Sequence, residues 1–414
     1  MTLFCRFELA KKHFRHYLYG IMYDEMSNFS ICHVITRMIV GGAQENTLLS
    51  CLGQLQAGHA VTLVTGPSPG PEGELLARMK APNLEIVVMP ELVRELAPVM
   101  DVKAFFRLRR FFRERRFEVV HTHSSKAGIV GRFAAYAAGV PCVVHTIHGQ
   151  AFHLYEKAWK NAFYKSAERL AARRSDRIFA VAQAMVDQCV AGRIAPAAKY
   201  QVVYSGMDIS SFLAAQREPE LRRTLGIPED APVIGTLARL FELKGYDYVL
   251  QAAPLVLAKH PETHFLIVGD GLLRRQLEQE ADRLGIRDQF HFAGLVAPSE
   301  VPRYIVQMDM LWHLSLREGL PRSVVQALAG GIPAIGFRLD GTPEVVFDGE
   351  TGYCAAPGDY RAVAEHANML LDDPARARRL GARGRELVKE RFDAPRMSAI
   401  LLKAYAEILK AKRS

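Results

Sequence analysis

Short apolar segments alternate with longer amphipathic ones along the chain from about residue 30 onward. Apolar runs of this kind are typical of strands that are buried on both faces of a parallel sheet. The strands predicted in the first half are Ser30–Thr36, His59–Thr65, Leu84–Met89, Glu118–His121, Cys142–Thr146, Arg177–Val181 and Tyr200–Val203. The helices predicted between them are Gln44–Gln56, Val102–Arg116, Gly128–Ala138 and Glu156–Arg173. This alternation predicts a doubly wound domain.

The same alternation resumes after a connecting segment at Ser205–Ala215. The further predicted strands are Val233–Leu237, His264–Val268, Gln289–Phe292, Met310–Leu314 and Ala334–Gly336. The further predicted helices are Tyr246–Lys259, Leu272–Leu284, Val301–Gln307 and one that Pro321 opens and Gly330-Gly331 ends. We therefore predict an α/β protein with two doubly wound, Rossmann-like domains, residues 30–205 and 206–390, that face each other across a cleft.

Composition restricts the classes of protein and partner. With 414 residues the chain is longer than one typical core, and its 49% hydrophobic and 23% charged content is ordinary for a globular protein. A net charge of +9 favours an anionic partner such as a nucleotide, a phospholipid surface or a nucleic acid. Nucleic acid ranks last and is not expected as a partner, because the sequence has no zinc-finger, RNA-recognition or helix-turn-helix signature.

Several features favour a cytoplasmic protein. No apolar run approaches the roughly 18 to 20 residues that cross a bilayer. Lys11, Lys12 and Arg15 interrupt the apolar start, which is therefore unlike a secretory signal. The scattered cysteines form no C-x-x-C pair, which predicts reduced core thiols rather than disulfides or a zinc site. They are Cys5, Cys32, Cys51, Cys142, Cys189 and Cys354.

Residues 1–29 precede the first predicted strand and are interpreted as an N-terminal extension. Phe4, Phe7 and Phe14 fall near one helical face among basic residues, as in an amphipathic helix that contacts a membrane. The alternative is a poorly ordered leader, or a start codon assigned too early, upstream of Met26.

Two segments of the second domain carry the chemistry of a phosphate site. Glu318 and Gly319 stand before a predicted helix, whose free N–H groups and positive dipole end favour a phosphate. Gln326 follows Glu318 by eight residues, about two helical turns, so both side chains could reach one ligand. Arg239 and Lys244 follow the first strand of that domain and suit a diphosphate, because Arg presents a planar fork and Lys a point charge.

Loops of the first domain carry further candidates. Gly41 and Gly42 follow the first strand, where a backbone without side chains lets a ligand approach closely. His148 stands at the end of a strand, where it could touch a sugar or exchange a proton. His121 and His123 project to one side of a strand, as metal ligands do, but no third ligand at a convincing spacing accompanies them. We therefore expect them to line the cleft or contact a substrate that accepts a transferred group, and we predict no metal site.

Two motifs narrow the chemistry further. Val268–Gly271 contains a G-x-G, but Arg274 stands where a dinucleotide fingerprint has its third glycine, which argues against NAD. The sequence also has no Asp-x-Asp pair of the kind that holds a diphosphate through a divalent metal. A departing diphosphate would instead be stabilised by Arg239, Lys244 and the helix start at Gly319.

In their order and spacing, these motifs resemble the retaining glycosyltransferases of family 4, which have the two-domain GT-B fold. The resemblance covers roughly residues 30–410. The matching segments are Gly41–Gln44, Thr146–Gly149, Val203–Asp208, Gly235–Arg239, Lys244–Gly245, Val268–Gly271, Phe292–Gly294, Glu318–Ala334 and Gly341–Glu344.

The resemblance implies an enzyme that moves a hexose or N-acetylhexosamine from a nucleoside-diphosphate sugar to a hydroxyl of a lipid-linked or polysaccharide acceptor, and the expected donor is a UDP-sugar. It implies retention of configuration and no metal or other cofactor. Arg239 and Lys244 would bind the diphosphate, and Glu318 would hold the sugar hydroxyls near the reacting carbon. The backbone amides of Gly319 and Leu320 would take phosphate or sugar oxygens.

For the first domain, the resemblance implies that His148 contacts the transferred sugar and that Gly42 lets the first loop approach it. It also implies that a terminal helix within residues 391–414 crosses back to complete that domain. In the family pattern Glu-x7-Glu, the second acid grips the ribose, and here it is Gln326. Loss of the charge would lower donor affinity about tenfold. A catalytically weakened sugar-nucleotide-binding or scaffold protein is therefore the alternative, and a dehydrogenase a more distant one.

One predicted helix of the first domain is strongly basic. Val102, Phe105, Phe106 and Phe112 are expected to share a broad apolar face, with Phe111 away from it. Such a helix would suit docking on anionic lipid, in line with association with the inner face of the cytoplasmic membrane. The alternative is an ordinary solvated basic face.

Overall fold

The computed structural model describes residues 28–68, 75, 83–153 and 156–414. It forms two compact units. The first unit consists of the described residues up to Met207 together with Ala394–Ser414, and the second consists of Asp208–Asp393. The N-terminal extension predicted at residues 1–29 lies, apart from its last two residues, outside the described part of the chain.

The first unit contains a parallel sheet of seven strands in the order β3-β2-β1-β4-β5-β6-β7. Its strands are β1 Ser30–Ile35, β2 Ala60–Thr65, β3 Glu85–Val88, β4 Val119–His123, β5 Cys142–Ile147, β6 Arg177–Ala180 and β7 Tyr200–Val202. Its helices are α1 Gly42–Gln56, α2 Pro98–Arg115, α3 Ser125–Ala138, α4 Ala158–Ala172, α5 Gln183–Ala191 and a short 3₁₀ turn at Ala197–Lys199.

The second unit contains a parallel sheet of six strands in the order β10-β9-β8-β11-β12-β13. Its strands are β8 Val233–Leu237, β9 His264–Val268, β10 Phe290–Gly294, β11 Met310–His313, β12 Ala334–Phe337 and β13 Gly352–Ala355. Its helices are α6 Ser210–Ala214, α7 Pro219–Thr224, α8 Tyr246–Leu257, α9 Arg274–Arg283, α10 Val301–Ile305, α11 Arg322–Ala329, α12 Tyr360–Asp372 and α13 Pro374–Arg391. Its 3₁₀ turns are Arg287–Gln289 and Thr342–Glu344.

Two parallel sheets flanked by helices confirm the predicted fold class, and every strand and helix predicted from residue 30 onward is present. The apolar strands form the core because both sheet faces are covered. In each unit the strand order reverses once, between β1 and β4 in the first and between β8 and β11 in the second. We call these two positions the switch points. Ligands of doubly wound folds bind at the carboxyl ends of the strands there.

The last helix, α14 Ala394–Arg413, belongs to the first unit. It buries Met397, Leu401 and Tyr405 in the same core cluster as strand β1. It crosses α1 at Gly53, where a Cβ atom would overlap Ser398. The close crossing therefore requires glycine on α1 and brings the Tyr405 hydroxyl to the polar centre of the unit.

The face predicted for the basic helix is wrong in one respect. Phe112 does not share an outer face with Val102, since it is 1% exposed and packs in the core with Ala104 and Leu108. Phe105 packs against the same cluster, whereas Val102 and Phe106 are more than half exposed. The outward apolar positions therefore lie in the first half of α2, and the basic residues continue beyond them.

The described residues contain no helix that is long and apolar enough to cross a membrane. The five described cysteines are all buried and free, as predicted for core thiols, and Cys5 lies outside the described residues.

Candidate functional site

The loop after β8 is held against the end of β11. Leu243 adopts φ +64° and Gly245 φ +77°, and a side chain at Gly245 would collide with the carbonyl oxygen of Leu314. The N–H of Leu316 donates to the carbonyl oxygen of Leu243 over 2.8 Å. The two loops at the switch point of the second unit are thus joined through their backbones on either side of Lys244.

This arrangement brings together two of the predicted site residues, Lys244 and Glu318. The Lys244 Nζ donates to Glu318 Oε1 at 2.6 Å, and the two side chains are only 26% and 20% exposed. The N–H of Glu318 donates to Asp340 Oδ2 at 2.7 Å. Asp340 itself has φ +50°, a strained value for a residue other than glycine. Glu318 is therefore held by two other loops, with Lys244 at its carboxylate and Asp340 at its backbone N–H.

The electrostatics keep Glu318 ionised. Burial alone would raise its pKa, but the Lys244 ammonium, His313 and hydrogen bonds from Lys244 and Ser315 outweigh burial and hold the pKa below its ordinary value. His313 Nε2 lies 3.6 Å from Glu318 Oε1, and its Nδ1 lies 3.2 Å from the Ser323 hydroxyl. Burial lowers the pKa of His313 to about 4, so the imidazole beside the carboxylate is neutral at pH 7.

The other predicted residues of the second unit occupy the surrounding elements. Arg239 is exposed in the same loop as Lys244, with its guanidinium 5.2 Å from the centre of the Phe241 ring. Gly319 and Leu320 are buried directly before α11, and Pro321 caps that helix. Gln326 is half-buried on α11.

The G-x-G motif has a packing role. A Cβ at Gly269 would overlap the carbonyl oxygen of Ala238, and one at Gly271 would overlap that of Leu240. The N–H of Leu240 donates to the carbonyl oxygen of Asp270 over 3.0 Å. The two glycines therefore let the loop after β9 pack directly on the loop that carries Arg239, which explains the motif without a dinucleotide.

In the first unit, Gly42 opens α1 after the extended residue Gly41, beside the end of β1. His148 is half-buried after β5 and lines a pocket with Ser124, Gly149 and Gln150. Its Nε2 lies 3.0 Å from Nδ1 of His123, the last residue of β4. The predicted sugar-contact residue is therefore joined directly to one of the two histidines singled out as cleft-lining residues.

A third histidine, His33 on β1, completes the cluster that the spacing of His121 and His123 suggested. His33 pairs with His121 across neighbouring strands, and ligand atoms of the three rings lie within 4.8 Å of one another. All three side chains are fully buried. The sequence pattern missed His33, whose only signal is a polar residue inside an apolar strand.

Comparison with known proteins places the chain among the glycosyltransferases. Residues 217–387 match the model of the family described as glycosyl transferases group 1, and residues 41–206 match that of the glycosyl transferase 4-like domain. The chain is 30% identical over 289 residues to a UDP-Gal:α-D-GlcNAc-diphosphoundecaprenol α-1,3-galactosyltransferase of Escherichia coli, covering 69% of this chain and 74% of the relative. It is 28% identical over 292 residues to a 2-deoxystreptamine glucosyltransferase of Streptomyces kanamyceticus, covering 69% and 75%.

The solved structure of Anabaena HepE in complex with UDP aligns with a TM-score of 0.76 at 22% identity, over 91% of this chain and 100% of that one. At this identity the likeness establishes the fold. Together with the family matches, this likeness identifies the fold as GT-B. The chain belongs to the group 1 glycosyltransferases, with a glycosyl transferase 4-like domain in its first half.

The buried histidines predict acid sensitivity. Burial lowers the pKa of His33 and of His59 to about 4 and also lowers the pKa values of His121, His123 and His145. An unfolded histidine has a pKa near 6.5, so the unfolded chain binds more protons below that pH. The stability that these neutral histidines contribute is complete above pH 6.5, and we expect it to be lost as the pH falls toward 4.

His59→Asn tests this sign at one position. His59 Nδ1 accepts the N–H of Phe29 over 3.1 Å, a bond that Asn can reproduce without titrating. Between pH 7 and pH 5, the free energy of unfolding should fall about 2 kcal/mol less in the variant than in the wild type. Urea unfolding at the two pH values measures this, and equal losses in both proteins would contradict the assignment.

Proposed function

We propose that the enzyme transfers a hexose or N-acetylhexosamine from a nucleoside-diphosphate sugar, with UDP as the nucleotide, to a hydroxyl of a lipid-linked or polysaccharide acceptor. The names of the relatives support these classes. The Escherichia coli relative is named for UDP-Gal and a diphosphoundecaprenol acceptor, and the Anabaena structure contains UDP. Another relative is named for capsular polysaccharide biosynthesis in Staphylococcus aureus, whereas the Streptomyces kanamyceticus relative is named for 2-deoxystreptamine.

The observation that carries the proposal is the Lys244–Glu318 pair at the switch point of the second unit. A donor diphosphate competes with Glu318 for the Lys244 ammonium, because a phosphate is a strong acceptor for a point charge. Once Lys244 turns to the diphosphate, Glu318 is free to accept hydrogen bonds from the sugar hydroxyls. One residue of the pair thus binds the diphosphate of the donor, and the other binds its sugar.

In this proposal the leaving diphosphate is stabilised without a metal. The transferred sugar retains its anomeric configuration. Arg239 and Lys244 supply two positive charges from one loop. The amides of Gly319 and Leu320, at the positive end of the α11 dipole, add hydrogen-bond donors. Groups of this kind are effective because they are already oriented where the charge develops.

Two residues of the first unit complete the proposed roles. His148 contacts the transferred sugar, and Gly42 at the start of α1 leaves room for a ligand close to the backbone. Gln326 accepts from the ribose hydroxyls through its amide oxygen. The neutral side chain makes a weaker bond than a carboxylate would, which is the reason for a lower donor affinity.

We also propose peripheral contact with anionic lipid through the outer face of α2. Val99, Val102 and Phe106 are 68%, 56% and 57% exposed and follow one another at helical spacing. Lys103 and Arg113 lie exposed along the same helix. An exposed apolar strip bordered by basic residues is the pattern of helices that lie in the membrane interface.

Lys244→Met should weaken binding of UDP itself roughly tenfold to a hundredfold, because a charged hydrogen bond worth about 1.5–3 kcal/mol is lost. Glu318→Gln should preserve or tighten UDP binding, because the neutral side chain competes less strongly for Lys244, and it should lower the rate of sugar transfer. Thermal shifts over UDP-, GDP- and ADP-sugars, followed by turnover measurements, test both statements. We expect the largest stabilisation from a UDP-sugar.

Lys259→Met is the matched control. Lys259 pairs with Asp372 in the same unit and is half exposed, away from the β8 loop. This variant should bind UDP and turn over as the wild type does. Full turnover in Lys244→Met would refute the assignment of the donor site.

Gln326→Glu should preserve or tighten donor binding, by up to about tenfold, because the substitution restores a charged acceptor for the ribose hydroxyls. Isothermal titration with UDP and with UMP measures the gain, which should be present for both ligands since both contain the ribose. Weakened binding of either ligand would show that Gln326 does not face the ribose.

The combined substitution of Val102 and Phe106 by Ser should abolish flotation with liposomes that contain anionic phosphatidylglycerol, and replacement of Lys103 and Arg113 by Gln should weaken it. Leu272→Ser is the control, because Leu272 is 85% exposed in the second unit and outside this face. Flotation that does not depend on anionic lipid, or that Leu272→Ser reduces equally, would contradict the proposal.

A further inference from the structure

A continuous row of hydrogen bonds runs from the interior of the first unit to His148. Gln54 Oε1 lies 2.8 Å from His33 Nε2, His33 Nδ1 lies 2.9 Å from His123 Nε2, and His123 Nδ1 lies 3.0 Å from His148 Nε2. These four residues, called the histidine relay below, come from α1, β1, the end of β4 and the loop after β5. They meet because β1 and β4 are neighbours at the switch point.

The position of each proton in this row can be assigned by starting from Gln54 at its inner end. The Gln54 Nε2 donates to the Tyr405 hydroxyl over 3.3 Å, which turns Oε1 toward His33 as an acceptor. His33 therefore carries its proton on Nε2 and accepts on Nδ1 from His123 Nε2–H. His123 in turn accepts on Nδ1, so its partner nitrogen, Nε2 of His148, carries the proton.

We propose that Gln54, His33 and His123 are positioning residues that fix His148 as its Nε2–H tautomer, with the acceptor lone pair on Nδ1. The inference rests on the proposed function, in which His148 contacts the transferred sugar. A neutral imidazole with its lone pair on Nδ1 accepts a hydrogen bond from a sugar hydroxyl through that atom. The opposite tautomer would present an N–H there.

Because these residues are buried, the proton positions along the row depend on one another. Gln54, His33 and His123 are each 0% exposed, so no solvent replaces a lost partner. Reversing one ring would place two N–H groups, or two lone pairs, against each other, and a buried unsatisfied polar group is costly. A change at Gln54 is therefore transmitted through two rings to His148.

The hydrogen bonds also oppose the other use of three close imidazoles, a metal site. A cation needs an unprotonated nitrogen from each of His33, His121 and His123. In the histidine relay, the lone pairs of His33 and His123 accept from neighbouring rings. His121 is similarly engaged, with Nδ1 2.5 Å from the Tyr405 hydroxyl and Nε2 2.7 Å from Thr146 Oγ1. Metal binding would break this network.

The test is a remote substitution with a spectroscopic measurement at His148. Gln54→Met keeps the length of the side chain and removes the acceptor for His33 Nε2–H. In the full chain labelled with [¹⁵N]histidine, two-bond nitrogen–proton spectra report the tautomer of each ring, and His148→Asn identifies the His148 signal. We expect the wild type to show His148 protonated on Nε2 alone and Gln54→Met to show a mixture of tautomers. An unchanged His148 tautomer in folded Gln54→Met would overturn the proposal.

Thr146→Val is the matched control. Thr146 is 4% exposed and its hydroxyl lies 2.7 Å from His121 Nε2 in the same cluster, outside the histidine relay. Its loss should lower the melting temperature and leave His148 unchanged. If Gln54→Met does not fold, His33→Asn and His33→Leu replace it. Asn offers an acceptor near the Nδ1 position and should preserve the His148 tautomer, whereas Leu should not, and equal spectra for these two variants would overturn the proposal.

Kinetic measurements distinguish a failure of the histidine relay from a failure of the proposed function. Gln54→Met should lower kcat for sugar transfer about tenfold, the effect of one hydrogen bond, and leave the affinity for UDP unchanged. A changed tautomer with an unchanged kcat would support the histidine relay and refute the role of His148 at the sugar. Elemental analysis of the purified wild type completes the test, because a stoichiometric metal that is absent from His33→Asn would overturn the proposal.

Discussion

In each unit, two strands that are neighbours in the sheet are not consecutive in the chain: β1 lies beside β4, and β8 lies beside β11. The loops that leave such a pair turn to opposite faces of the sheet, which opens a gap at the carboxyl ends of the strands. Elsewhere the sheets are covered by helices, and polar side chains need partners within the core. The proposed functional residues lie at these two positions, with Lys244 and Glu318 at one and the histidine relay at the other.

At both positions polar side chains are removed from water, and the lost hydration is compensated in different ways. Lys244 and Glu318 are charged and remain partly exposed, so solvent and mutual attraction share the cost of desolvation. The buried histidines have no solvent and remain neutral, which burial enforces by lowering their pKa values. A charged pair can exchange one partner for a phosphate. A neutral row transmits orientation instead, because each ring has one donor and one acceptor to offer.

The sequence predicted the fold well because the apolar runs of the strands and the amphipathic pattern of the helices are both local features. Apolar runs separated by amphipathic helices indicate parallel sheets whatever their strand order. The elements that the sequence pattern did not predict are the four-residue strand β13 and the helices α5, α6, α7, α12 and α13. Of these, α12 and α13 have caps at Asp359 and Asp373, and the latter is followed by proline. These are start signals that a search for caps would find.

Prediction of side-chain faces was less successful, because the buried face of α2 depends on what covers it. Phe106 and Phe112 are equally apolar, yet the first is 57% exposed and the second 1%. The outer apolar residues and the inner ones together surround much of the helix, so helical projection alone assigns no unique inner face. Only the position of α3 and the sheet decides which aromatic ring enters the core.

The same distinction explains which site residues the sequence revealed. Lys244 and Glu318 belong to polar loops after strands, where a charge is conspicuous and the family pattern applies. His33 is a polar residue within an apolar strand, and Gln54 is one of several polar residues of α1, so neither residue stands out in the sequence. Their significance depends on the register that sets His33 opposite His121 and on α14, which brings Tyr405 to Gln54 across 351 positions of the chain. A buried network of this kind is a property of the assembled unit, because no member has a fixed proton position until its neighbours do.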